Sequence, residues 1–178
     1  MSAPDPDKSK RVHGQLILNP TDLGAALPYG GTQLGSISAF YWIPGQRTIR
    51  LKAKEKGRTA LMVHVEDDLT AGFILREQND DALAFAFPGT TDGATTKIVN
   101  FPTKTSGTEL TGSKLLFAAT NATENYSLLI YNAVVEFDAT NRIRLSALKE
   151  TVIPILVTGM EDGSGRIAKW GLLADLTL

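Results

Sequence analysis

The sequence predicts a mainly β fold: two packed antiparallel sheets, a β-sandwich or open barrel, with one short flanking helix and a long extended loop. Three observations carry this. Apolar residues recur with a period of two along much of the chain, only one stretch combines helix formers with helix boundaries, and turn residues punctuate the intervals. The chain has 178 residues, 43% of them apolar and 21% charged, which builds one sizeable core and leaves little room for a second. Residues 1–13 read as a flexible N-terminal arm, and residues 14–178 as a single β domain.

Gly14 to Leu18 is a short strand, turned by Asn19-Pro20-Thr21-Asp22. Ala26 to Gly35 reads as a glycine-rich loop. Arg47 to Lys54 alternates, with Ile49, Leu51 and Ala53 on one face and Arg50, Lys52 and Lys54 on the other, which marks a half-buried strand. "EKGR" turns the chain and "TALMVHV" returns. Glu66-Asp67-Asp68 reads as the next turn, and Leu69 to Glu77 as a third strand.

In "QNDDALAFAFPG", Asn79 suits a helix cap, Asp80 and Asp81 suit the positive first turn, and Pro88 suits the stop. Alanines at 82, 84 and 86 favour helix over strand. The expected core face is Leu83 and Phe87. Residues 88–111 carry little pattern, and a structureless stretch of that length is uncommon in a compact domain unless it has a role. "KIVNF" within it is a possible short strand. Ser113 to Ala119, Tyr126 to Asp138 with a bend near Asn132, Arg142 to Ala147, Thr151 to Thr158 and Arg166 to Leu173 complete the predicted strands.

The chemistry-bearing residues do not assemble into a site. With no cysteine, thiolate zinc sites, iron–sulfur clusters, disulfides and thiol nucleophiles are excluded. The net charge of −1 argues against nucleic-acid binding driven by charge alone. Ser164, in Asp162-Gly163-Ser164-Gly165, lacks the flanking glycines of a nucleophile elbow. His13 and His64 stand far apart and make neither a base for Ser164 nor a zinc site. Glu66-Asp67-Asp68 lacks the spacing of a calcium loop, and "GGTQLGS" lacks that of a phosphate-binding loop. No catalytic, cofactor or metal residue is assigned, and the chain is expected not to be an enzyme. No apolar run is long enough for a membrane-spanning helix, and the polar N-terminus is not a secretory signal.

Four segments, in order, resemble the tail tube proteins of long-tailed bacteriophages. They are "LILNPTDLGAALPYGGTQLG", "LKAKEKGRTAL", "FILREQNDDALAFAFPG" and "KETVIPILVTGMEDGSGRIAKWG". Together they span most of residues 14–173, and their order is more specific than any one of them. The basic face at 50–54 and the polar N-terminus depart from the pattern.

This resemblance implies two packed antiparallel sheets with a helix at the side, a fold shared with the type VI secretion tube protein. It also implies hexameric rings that stack into a tube carrying DNA to the host, in a virion tail assembled in the host cytoplasm. Implied partners are further copies of the chain, other tail proteins such as terminator, tape measure or sheath, and DNA passing without sequence-specific binding.

The extended loop 88–111 is the expected inter-subunit segment, with Thr91, Thr95, Lys97, Ile98, Val99 and Phe101 as contact candidates. A conduit must not hold its cargo, so Glu136 and Asp138 are candidates for a neutral or acidic lumen face. Arg50, Lys52 and Lys54 are then expected outside it or against a neighbour's acids. The loop Glu161–Gly165 is expected to turn a closing hairpin. Competing readings are another tail or neck ring (terminator, connector or distal tail ring) and a carbohydrate-binding module using Tyr41 and Trp42.

Overall fold

A computed structural model describes residues 13–52, 59–76, 80–87, 91–93, 98–100, 112–121, 125–136 and 152–178. The N-terminal arm, the predicted strand at 142–147, and the candidates Thr95, Lys97, Phe101 and Asp138 lie outside these residues.

The described strands are β1 (Gly14–Leu18), β2 (Thr32–Lys52), β3 (Thr59–Leu75), β4 (Thr91–Gly93), β5 (Ile98–Asn100), β6 (Ser113–Ala119), β7 (Tyr126–Glu136), β8 (Ile153–Gly159) and β9 (Ala168–Leu172). The helix α1 is Asp80–Ala86, and a 3₁₀ turn covers Leu173–Asp175. Seven strands form one antiparallel sheet in the order β6-β1-β2-β3-β8-β7-β9, and β6 also pairs with β7. That last pairing closes β6, β1, β2, β3, β8 and β7 into a six-stranded barrel, which replaces the expected pair of packed sheets. Closure follows from β7, whose first half pairs with β6 and whose last residues pair with β8.

The barrel interior is filled from every strand, with Leu16, Phe73, Phe117, Ile130, Ile155 and Val157 almost wholly buried. Beads of the same strands face outward into a second cluster. Ile17, Leu116, Ala118, Leu129 and Tyr131 lie under Leu176, with Leu173, Leu178, Leu23 and Tyr29 packed around them. β7 is therefore apolar on both faces, which explains its nearly unbroken apolar sequence. Ser127 is buried among these apolar residues, and its Oγ accepts a hydrogen bond from the Ala119 N–H at 3.1 Å.

Several expected boundaries move. β2 begins inside the predicted glycine-rich loop, at Thr32, because Gly35 takes φ +133° beside a register shift in β1. Glu66-Asp67-Asp68 is not a turn: β3 runs straight through it, with Glu66 in register with Arg47 and Asp68 with Gly45. Turn-forming acids are tolerated there because this part of the strand lies beyond the barrel. The bend expected near Asn132 corresponds to a register shift between β6 and β7, which falls between Ile130 and Ala133 of a β7 that runs on unbroken.

The helix forms where expected, but Ala82, Phe85 and Ala86 are its buried residues, and Leu83 and Phe87 pack only partly buried at the edge of the core. The i, i+3, i+4 stripe of two small residues and one ring lets α1 sit close to β2 and β8. Within the long loop, Thr91–Gly93 pairs with Ile98–Asn100 as a two-stranded ribbon, so "KIVNF" does contribute a strand.

Candidate assembly surface

β2 and β3 are much longer than the barrel that contains them. β8 pairs with β3 only from Leu69 to Leu75, and β1 pairs with β2 only from Thr32 to Ile37. Beyond Pro44↔Leu69, the hairpin continues from Gly45 to Lys52 and back from Thr59 to Asp68, where its strands pair only with each other among the described elements. At a strand rise of about 3.3 Å per residue this overhang is roughly 25 Å long. Among the described elements, its two outer edges and the outer edge of β9 have no strand partner, whereas the barrel strands have sealed theirs.

The base of the overhang faces β9 across a groove of about 310 Å³. Trp42, Leu69, Leu128, Ile167 and Trp170 line it, while the Asp68 carboxylate lies over Gly45 on the opposite face of the hairpin. Trp170 lies opposite Leu128 in the ladder and reaches across to β2, with ring centroids 5.7 Å from Trp42 and 5.9 Å from Phe40. Phe40 in turn packs on Phe117 at 4.0 Å inside the barrel. The tryptophans thus close one end of the core and leave Trp170 39% exposed. Tyr41 and Trp42 do not make a sugar-stacking row, because neighbouring strand residues point to opposite faces. Trp42 turns to Trp170, while the Tyr41 ring lies against Gly72, where an added Cβ would meet it at 2.4 Å.

The loop Glu161–Gly165 does not turn a hairpin. β8 and β9 both run antiparallel to β7 and follow one another along the same edge of it, with Gly159 opposite Ala133 and Ala168 opposite Ile130. Residues 160–167 are an excursion from one nearly continuous strand. Its ends are pinned to adjacent β7 residues: Met160 N–H donates to the Asn132 carbonyl, and Tyr131 N–H donates to that of Ile167, both at 2.9 Å.

Asp162 organises the excursion. Its Oδ1 accepts from the N–H groups of Ser164 and Arg166, both at 2.9 Å. Its Oδ2 accepts from the Arg166 guanidinium at 2.8 and 3.0 Å. The Arg166 N–H, the Arg166 side chain and the Ser164 N–H hold the Asp162 carboxyl below the usual range, against partial desolvation. The same pairing holds Arg166 more firmly protonated.

The Arg166 guanidinium also lies 4.0 Å over the Tyr131 ring, whose hydroxyl donates to the Thr177 carbonyl at 2.6 Å. Ser164 itself is exposed, and it is its main-chain N–H that binds Asp162. The loop is a structural clasp, and sequence alone did not reveal Tyr131 as its partner because the contact is distant in the chain.

Glu136 ends β7, is exposed, and accepts a hydrogen bond from the Thr158 hydroxyl. Thr91, Ile98 and Val99 lie in the β4–β5 ribbon. Among the described residues, no group of three or more histidine, aspartate or glutamate side chains is placed to hold a metal ion, and no helix is long and apolar enough to cross a membrane.

No protein-family model matches the chain, and no curated protein matches it. Among solved structures, it is similar to a chain from the anti-feeding prophage cap, the tube-terminating cap, with a TM-score of 0.47 and 10% identity over 97% of this chain and 93% of the other. It is also similar to a chain from the six-fold symmetrised baseplate of the same particle, with a TM-score of 0.43 and 11% identity over 99% of this chain and 100% of the other. At these scores neither likeness assigns a role to this chain.

Proposed function

We propose that the chain is a structural subunit that works by self-association, and that it builds a phage tail tube. The observation that carries this reading is the overhanging β2–β3 hairpin. A two-stranded ribbon is marginally stable in water by itself, and edges without a partner, as these are among the described elements, are an aggregation liability in a monomer. Neighbouring copies that cover or extend the ribbon remove both problems. The ordered resemblance of four segments to tail tube proteins supports the same reading.

In this reading six copies close a ring and rings stack, since a head-to-tail contact generates a ring when its rotation closes. The β4–β5 ribbon, with Thr91, Ile98 and Val99, contacts a neighbouring subunit. Glu136 belongs to a face without net positive charge, past which DNA slides because few counterions are released. The protein acts in the virion tail, beside other tail proteins, and catalyses no reaction.

Negative-stain microscopy of the purified protein tests this. Stacked rings or tubes are the expected result. Single rings that never stack would indicate a terminator, connector or distal tail ring instead, and a persistent monomer would overturn self-association altogether.

A further inference from the structure

We propose that Asp162-Gly163 is a latent isoaspartate site, which Arg166 keeps closed in the folded chain. The chemistry needs no second copy and stands apart from self-association. The reacting atoms are neighbours in sequence. The Gly163 main-chain nitrogen attacks Cγ of Asp162, and a C–N bond closes a cyclic imide. The nitrogen gives up its proton, and one carboxyl oxygen leaves as water. Water then reopens the ring at either carbonyl. One opening restores aspartate, and the other routes the main chain through the side-chain methylene as isoaspartate. No oxidant or reductant enters, since the water lost in the first step returns in the second.

Gly163 supplies what attack needs. It has no side chain to shield its nitrogen, it is exposed, and nothing lies within 4 Å of where a Cβ would stand. Among the described residues its N–H has no hydrogen-bond partner. Asp162 withholds what departure needs. A carboxylate offers about four lone-pair sites. Here Oδ1 receives the Ser164 and Arg166 N–H groups, and Oδ2 receives Nε and Nη2 of Arg166. No oxygen leaves as water without a proton, and a proton finds a site only when one of these bonds opens. The Arg166 N–H and guanidinium accordingly hold the carboxyl below its usual range. Attack also makes Cγ tetrahedral, whereas the two-pronged guanidinium contact favours a planar carboxylate. Once formed, isoaspartate would shift the carboxylate away from its N–H partners, and the clasp with its Arg166 contact to Tyr131 would not reform.

The test ages full-length protein, warm and in mildly acidic buffer, as native wild type, as Arg166→Gln and as wild type unfolded in urea. Electron-transfer fragmentation reads isoaspartate at position 162, and circular dichroism checks the fold of each native sample. Native wild type is expected to form isoaspartate many times more slowly than the unfolded chain, and Arg166→Gln several-fold faster than native wild type. Gly163→Val added to Arg166→Gln is expected to bring the rate back down, because a branched side chain shields the nitrogen while the clasp stays broken. Valine is accommodated there, since Gly163 does not adopt a positive φ and the space around it is open.

Native wild type ageing as fast as the unfolded chain, Arg166→Gln ageing no faster than wild type, or a valine that leaves the double variant's rate unchanged would each overturn the proposal. Should Arg166→Gln unfold, Arg166→Lys takes its place. It keeps the charge but loses the two-pronged contact, so it is expected to age faster than wild type, and an equal rate would again overturn the guarding role of Arg166.

Discussion

The Asp162–Arg166 clasp makes two distinct predictions at the level of single side chains. The folded-state pKa of Asp162 lies below its unfolded value, so the carboxylate contributes stability that is present above the ordinary carboxylate range and lost as pH falls through the folded-state value. Asp162→Asn should therefore lower the denaturation midpoint at neutral pH, and the gap to wild type should close on acidification. Denaturant unfolding at stepped pH measures this, and a gap that persists in acid would remove the charge from the account. Ser164→Ala should change stability by no more than about 0.5 kcal/mol, because the side chain is exposed and only the N–H binds Asp162. Gly14→Ala should be worse, by about 1–3 kcal/mol as for an overpacked core. A Cβ there would lie 2.3 Å from the Phe117 ring and 2.5 Å from the Ala118 carbonyl oxygen, and the backbone atom cannot swing aside. The aspartate, glycines and serine made a turn legible in this loop. Its anchoring on Tyr131 and Asn132 was not legible, because those partners come from a strand whose register no local pattern encodes.

Among the elements, the helix and the short barrel strands β1, β6 and β8 were readable from local alternation and capping residues. The outer part of the long hairpin was readable too, as an alternating strand at 47–54 and its return at 59–65, but its unbroken run through Gly45 and Glu66-Asp67-Asp68 to the barrel was not. Charged and glycine residues inside it imitate turns, yet outside the barrel both faces of a ribbon can be wet, so the usual penalty on such residues is absent. The inner face of α1 was also misread. Leu83 and Phe87 are the larger apolar pair, but the small Ala82 and Ala86 around Phe85 permit closer approach to the sheet. Phe85→Ala should consequently cost about 3–5 kcal/mol, measured by chemical unfolding. Removing the overhang separates folding from assembly. Joining Pro44 to Leu69 by an Asn-Gly turn keeps the pair that stands in register at the barrel rim. The shortened protein should fold with an unchanged near-ultraviolet spectrum and stay monomeric in sedimentation. Assembly without the ribbon would move the contacts to β9 or to the β4–β5 ribbon.

For the molecule as a whole, closure of six strands leaves a core whose edges are already paired, and among the described elements the ribbon and β9 carry the open edges. Two packed sheets and a closed barrel share the same alternating pattern, so composition and periodicity could not separate them. The deciding contact is β6 with β7, which a single sequence does not display. Reversing Glu136 to lysine should leave ring formation intact and slow DNA release from reconstituted particles if that residue lines the channel; unaltered release would place it elsewhere. The excursion at 160–167 has a practical corollary. Its two feet stand on adjacent residues of β7, and space around Gly163 is open. A peptide tag or fluorophore grafted between Gly163 and Ser164 would hang from the barrel wall like a pendant, giving assembled particles a handle at one repeated, known position.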